Sequence, residues 1–171
     1  MSQKEEGVDN TNKIIATYHP ERKVLRKLAH AEREMLFQML NHRKAVEIYE
    51  NVLGGFYDEV YRKVATFIVE YTKSHDDIDV AQIIALIEES DLENREELIK
   101  ELSSLIYEKK SHPQYKDQLI DELIESIRLE KNRIFEADTL EQSLQGKSEL
   151  EKARIIKEFN ERKFKSKKGG R

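Results

Sequence analysis

The chain lacks cysteine and tryptophan altogether, and it has only two prolines and six glycines in 171 residues. Without cysteine there is neither a disulfide framework nor a thiolate metal site. With proline confined to Pro20 and Pro113, most of the chain is free of the residue that breaks helices. Long apolar runs are missing as well. Nothing approaches the ~20 consecutive apolar residues of a membrane span, and the polar opening from Met1 to Asn12 has no apolar stretch of signal-peptide type. The expected location is therefore cytoplasmic, with no membrane partner. A strong positive charge is also absent: the net charge of −4 argues against a surface that grips nucleic acid as a whole, because phosphate binding needs a basic face.

What the chain does have is charge of both signs and helix-forming residues. Its hydrophobic fraction is 38% and its charged fraction 37%, against roughly 45–50% and 25% in an average globular chain. Much of the surface must then be solvated helix face. Leu, Ile, Glu, Lys, Arg and Gln dominate the middle of the sequence, all residues that lose little rotamer freedom in a helix. The length suits one compact domain with an appended element.

Residues 1–23 have little to bury, which predicts a disordered linker. From Val24 the apolar positions Leu28, Met35, Leu36, Met39 and Leu40 recur at helical spacing, as one helix or two joined ones. A second stretch, Ala45 to Leu53, stops at Gly54-Gly55, where glycine can take the left-handed cap conformation. Phe56 and Tyr57 then staple the turn to the core. Asp58 caps a third helix burying Val60, Val64, Phe67, Ile68 and Tyr71. Asp79 caps a fourth, short helix lined by Ile83, Ile84 and Ile87, and a fifth buries Leu98, Leu102, Leu105 and Ile106. Pro113 marks the next boundary and opens a long helix carrying Leu119, Ile120, Leu123, Ile124, Ile127 and Ile134. Gly146-Lys147-Ser148 forms a turn in which Ser148 and Glu151 have the spacing of a capping box. A last helix runs from Glu149 to about Phe164. The predicted fold is all-α: a six-helix bundle over residues 24–130, then a C-terminal helical hairpin on a long helix, with a basic tail, over residues 131–171.

No constellation for catalysis emerges. His19, His30, His42, His75 and His112 lack the spacing of a helical zinc site. Gly146-Lys147-Ser148 matches the end of a phosphate-binding loop, but Glu141 stands where that motif needs glycine. Asp76, Asp77 and Asp79 lack the glycine and distal glutamate of a calcium loop. Catalytic, cofactor and metal residues are accordingly expected to be none.

The final helix is the informative one. At about 100° per residue, Leu150, Ala153, Ile155, Ile156, Phe159 and Phe164 sweep an arc of roughly 220°, wider than the roughly 100° stripe a surface helix needs. One hairpin partner cannot cover it. Either the hairpin folds back on the bundle or one edge of the arc waits for another protein. The tail from Arg162 to Arg171 adds Lys163, Lys165, Lys167 and Lys168, a secondary contact at most for single-stranded DNA.

Three features, the Ala31-Glu32-Arg33-Glu34-Met35-Leu36 opening, the Leu53-Gly54-Gly55-Phe56 turn and the six-helix-plus-hairpin order, resemble the C-terminal helicase-binding domain of bacterial DNA primase, especially that of low-GC Gram-positive bacteria. The likeness covers about Arg26 to the end. It implies that the hairpin docks on the N-terminal collar region of the replicative helicase, through Phe135, Leu140, Leu144, Ile155, Phe159, Arg162 and Phe164. It also implies that the chain is not itself an enzyme. The zinc-binding and polymerase regions of that family, which make it a DNA-directed RNA polymerase, have no counterpart in this sequence, so the first residues read as an interdomain linker.

Three rival readings stand beside it. One is the N-terminal collar domain of a replicative helicase, which a terminal hairpin disfavours. Another is a small helical nucleic-acid-binding protein using the basic tail. The third is a self-associating adaptor whose hairpins pair as a four-helix bundle.

Overall fold

The computed structural model describes residues 20–108 and 113–168, with side chains from residue 26 onward. The fold is all-α, and no strand occurs among the described residues. The helices are α1 (Pro20–Asn41), α2 (Arg43–Ile48), α3 (Glu59–Ser74), α4 (Val80–Glu89), α5 (Arg95–Glu108), α6 (Asp117–Leu144) and α7 (Glu149–Lys168). The chain divides into two compact units, one ending at Lys131 and the other beginning at Asn132. Helix α6 contributes to both.

Helix α1 starts at Pro20, earlier than the expected Val24, in keeping with the ease with which proline occupies a first turn. Residues 20–23 are thus helical rather than linker. The rest of the expected linker lies outside the described residues. His42, at φ −141°, interrupts the helix for a single residue before α2 resumes. The turn after α2, Tyr49–Leu53, is π-helical, with the Gly54 N–H donating to Tyr49 O at 2.9 Å. Gly54 ends it at φ 68°, the left-handed geometry that glycine takes without a Cβ clash. Phe56 is buried against the Tyr49 ring at 4.6 Å, whereas Tyr57 is half exposed, so only one of the two aromatics closes the turn.

Helix α3 is the hub of the first unit and packs against α1, α2, α4 and α5. Its Val64, Ala65 and Ile68 are completely buried, while Val60 and Phe67 are only partly so. Asp58 accepts from Tyr61 N at 3.0 Å and Asp79 from Ala81 N at 2.9 Å, so both predicted N-caps operate. On α5, Leu98, Leu102 and Leu105 face the core, but Ile106 does not. It lies about 100° around the helix from Leu105 and is 40% exposed. Arg33 ties α1 to α5, donating to Glu101 and Glu108 at 2.9 Å and to Ser104 at 3.1 Å. Arg43 donates to the carbonyls of Thr72 and His75, two of the orphan acceptors at the end of α3.

Helix α6 begins at Asp117, not at the predicted Pro113 boundary. Tertiary contacts explain the delay. Pro113 O accepts from His42 Nε2 at 2.8 Å, Tyr115 stands edge-on to the His42 ring, and Asp117 pairs with Lys44 at 2.7 Å. From there Ile120, Leu123, Ile124 and Ile127 are buried. The helix is continuous through Phe135 to Thr139.

One buried group of the first unit is a surprise. Glu32 is completely inaccessible and accepts from the N–H of Tyr57 at 2.5 Å and of Asp58 at 3.0 Å. These are donors at the entry to α3 that no helical bond can satisfy. Lys131 donates to Gly55 O at 2.8 Å and Arg128 to Val52 O at 3.1 Å, so the same loop also holds α6. Burial pushes the Glu32 carboxyl above its ordinary value, partly offset by the two backbone donors and by Lys131.

Candidate docking surface

The second unit consists of the later part of α6, a short turn, and α7. Leu144 is the last helical residue of α6, and Gly146 takes φ 70° in the turn. There the Ser148 N–H donates to Glu151 Oε2 at 3.0 Å, and the Glu151 N–H returns to Ser148 Oγ at 3.4 Å. This is the reciprocal capping box that the spacing predicts. The donors at Ser148 hold the Glu151 carboxyl below its ordinary 4.5. By linkage, that stabilisation is present above pH 4.5 and is lost as pH falls through the lowered value. Replacing Ser148→Ala should cost the hairpin about 1 kcal/mol, the usual worth of an N-cap hydroxyl. Thermal unfolding followed by circular dichroism at neutral pH measures it, and an unchanged hairpin transition would mean that the turn does not depend on the cap.

The two helices of the unit meet along Thr139, Leu140 and Ser143 on α6 and Ile155 and Phe159 on α7. Lys163 bridges to Glu136 at 2.9 Å, fixing the register, and its ammonium lies 5.2 Å from the centre of the Phe159 ring. Leu140, Ile155 and Phe159 are half-buried in this seam, and Leu144 is half-buried at the end of α6. Phe135, 72% exposed, and Phe164, 63% exposed, are not. Arg162 reaches solvent and lies 3.8 Å from Glu158. The seven residues singled out from the sequence therefore fall into two sets: four are half-buried within the unit, and three present themselves outward.

No residue of α7 is fully buried. The wide arc divides: Ile155 and Phe159 turn toward α6, while Leu150, Ala153, Ile156 and Phe164 form an open edge. Leu150 is 78% exposed and Ile156 41%. A shallow apolar groove runs along this edge, bordered by Lys157, Asn160, Glu161 and Lys165. The sequence supplied the arc but not its division, because that depends on which angle of α7 the Glu136–Lys163 register turns toward α6. Ile156 is the outward residue that periodicity alone left among the others.

Helix α7 extends to Lys168, past the expected end at Phe164, so Lys165, Lys167 and Lys168 stand on a helix and complement its negative C-terminal end. Lys168 lies over the Phe164 ring at 4.9 Å. Residues 132–171 carry 11 Lys and Arg against 7 Asp and Glu, a net charge of +4, which leaves −8 on residues 1–131. The two units are oppositely charged. Among the described residues no group of three or more His, Asp or Glu side chains could hold a metal ion, and no helix is long and apolar enough to cross a membrane. His19 and His112 lie outside the described residues.

The fold and this surface define an all-α protein with a helical hairpin whose outer face is apolar and basic. The chain matches no protein-family model, no curated protein and no solved structure.

Proposed function

We propose that the chain is an interaction domain that tethers a bacterial DNA primase to the replicative helicase, with the hairpin as the docking element and the bundle modulating helicase and priming activity. The observation that carries the reading is the open edge of α7. Four apolar side chains, Leu150, Ala153, Ile156 and Phe164, lie along one side of a helix that the hairpin leaves uncovered. Contiguous apolar surface rimmed by polar residues marks sites of protein association, and helix-on-helix docking reads such anchors at three- and four-residue spacing. The resemblance in the first helix and in the glycine turn supplies the identity of the partner, the helicase collar region. On this reading the chain performs no chemistry and needs no cofactor. It holds a polymerase near its single-stranded template, and the basic end of α7 adds a weak contact with that strand.

The experiment is calorimetric titration of the chain with the N-terminal collar region of a replicative helicase from a low-GC Gram-positive bacterium. Ile156→Asp and Phe164→Asp should each weaken binding at least about tenfold, as central apolar anchors do, while leaving helicity unchanged. Phe159→Asp is a poorer probe, because its ring closes the hairpin and its loss would open the seam. Absence of binding by the unaltered chain would remove the helicase reading.

A further inference from the structure

The open edge of α7 has a chemical character beyond being apolar. The charges set among its apolar side chains, or placed over its last aromatic ring, are Lys157, Lys165 and Lys168 against one carboxylate, Glu161. Among the described residues none of these three ammonium groups has a salt bridge, whereas Lys152 and Lys163 have taken Glu149 and Glu136. The unit as a whole carries +4. We infer that the surface docking on this edge is a helical face with an apolar stripe flanked by carboxylates. This rests on the hairpin being the docking element and names the chemistry of what it takes.

Two arguments favour that occupant over the others. A second copy of the hairpin would set +4 against +4 and bring lysines to lysines along the seam, where like charges disfavour association. A nucleic acid would satisfy the lysines and leave Ile156 and Leu150 in water, since a phosphate backbone offers them nothing to bury against. An acidic-rimmed helical face satisfies both sets of groups at once. It also accounts for the alternation along α7, where apolar positions 153, 156 and 164 are interleaved with basic positions 157, 165 and 168.

The test needs no knowledge of the natural partner. Two synthetic helical peptides share a leucine stripe and differ only in its flanks, glutamate in one and lysine in the other. Each is titrated against the full chain by fluorescence anisotropy. The glutamate-flanked peptide should bind at least about tenfold more tightly, with the difference narrowing as salt rises from about 50 to about 500 mM. Ile156→Asp should remove the binding. The pair Lys157→Glu and Lys165→Glu should invert the preference, with circular dichroism confirming that both variants keep their helicity.

Equal binding of the two peptides overturns the inference. So does a preference that survives Ile156→Asp, which would place it on the basic tail alone. Sedimentation revealing a dimer that Ile156→Asp dissolves would give the edge to a second copy, and displacement of the peptide by oligothymidylate would give it to nucleic acid. Either result overturns it as well. If the helicase collar fails to bind while the peptide preference holds, the primase reading falls and this inference stands.

Discussion

Replacing Glu32→Ala should destabilise the first unit by about 3 kcal/mol, the range for removing one member of a buried, hydrogen-bonded charge group. The carboxylate is inaccessible and takes up the N–H groups of Tyr57 and Asp58, which have no other acceptor among the described residues. With alanine in its place these donors stay dry and unpaired, and Lys131 loses the negative charge that faces it. In a unit of this size the cost corresponds to a drop in melting temperature of roughly 10 °C. The pH dependence separates this from a simple cavity. Because burial raises the Glu32 carboxyl above 4.5, the protonation-linked part of its contribution is fully present below that value and is lost as pH rises through the raised one, leaving the hydrogen-bonded part. The deficit of the alanine variant relative to the unaltered chain should therefore widen on acidification from neutral toward pH 4.5. Urea unfolding at a series of pH values measures it, and a deficit that narrows in acid would refute the direction of the shift.

Ile68→Ala should have a comparable effect for a different reason. Ile68 is completely buried at the middle of α3, the helix that α1, α4 and α5 share as a neighbour, so no surrounding side chain can collapse into the space without leaving another contact. Large-to-small changes at such sites cost about 3–4 kcal/mol. Ile68→Val should cost about 1 kcal/mol, and the ratio of the two tests whether the loss follows the volume removed. The deficit should show no pH dependence beyond that of the unaltered protein. A loss below about 1 kcal/mol for alanine would mean that α3 is not the packing centre.

The contrast between these two residues shows how much of the fold was legible in the sequence. Ile68 belongs to the apolar register Val64, Ile68, Tyr71, and its burial follows from spacing alone. The caps at Asp58, Asp79 and Ser148 follow from local chemistry, since each bonds within three residues of itself. Glu32 occupies an apolar register too, between Leu28 and Leu36, and a carboxylate there is a signal that a polar partner must exist. Its partners, however, lie 25 and 26 residues away. Local reading cannot supply them. The same limit explains Pro113 to Lys116, held out of the helix by His42 and Lys44 about 70 residues earlier. It also explains the docking edge, where angular arithmetic gave the width of the arc and only the pairing of α7 with α6 decided that Ile156 and Phe164, not Ile155 and Phe159, remain outside.

Helix α6 carries buried side chains at Ile120, Leu123, Ile124, Ile127 and Glu130, and none from Lys131 to Leu144. One unbroken rod of backbone hydrogen bonds thus belongs to two cooperative systems. Its first half melts with the core that Ile68 and Glu32 hold, and its second half depends on a thin seam around Leu140, Ile155 and Phe159. The all-or-none assumption behind a single unfolding midpoint does not hold for such a chain. Its helical signal should decay in two steps, the hairpin first, while the tyrosines packed around α3 report only the second.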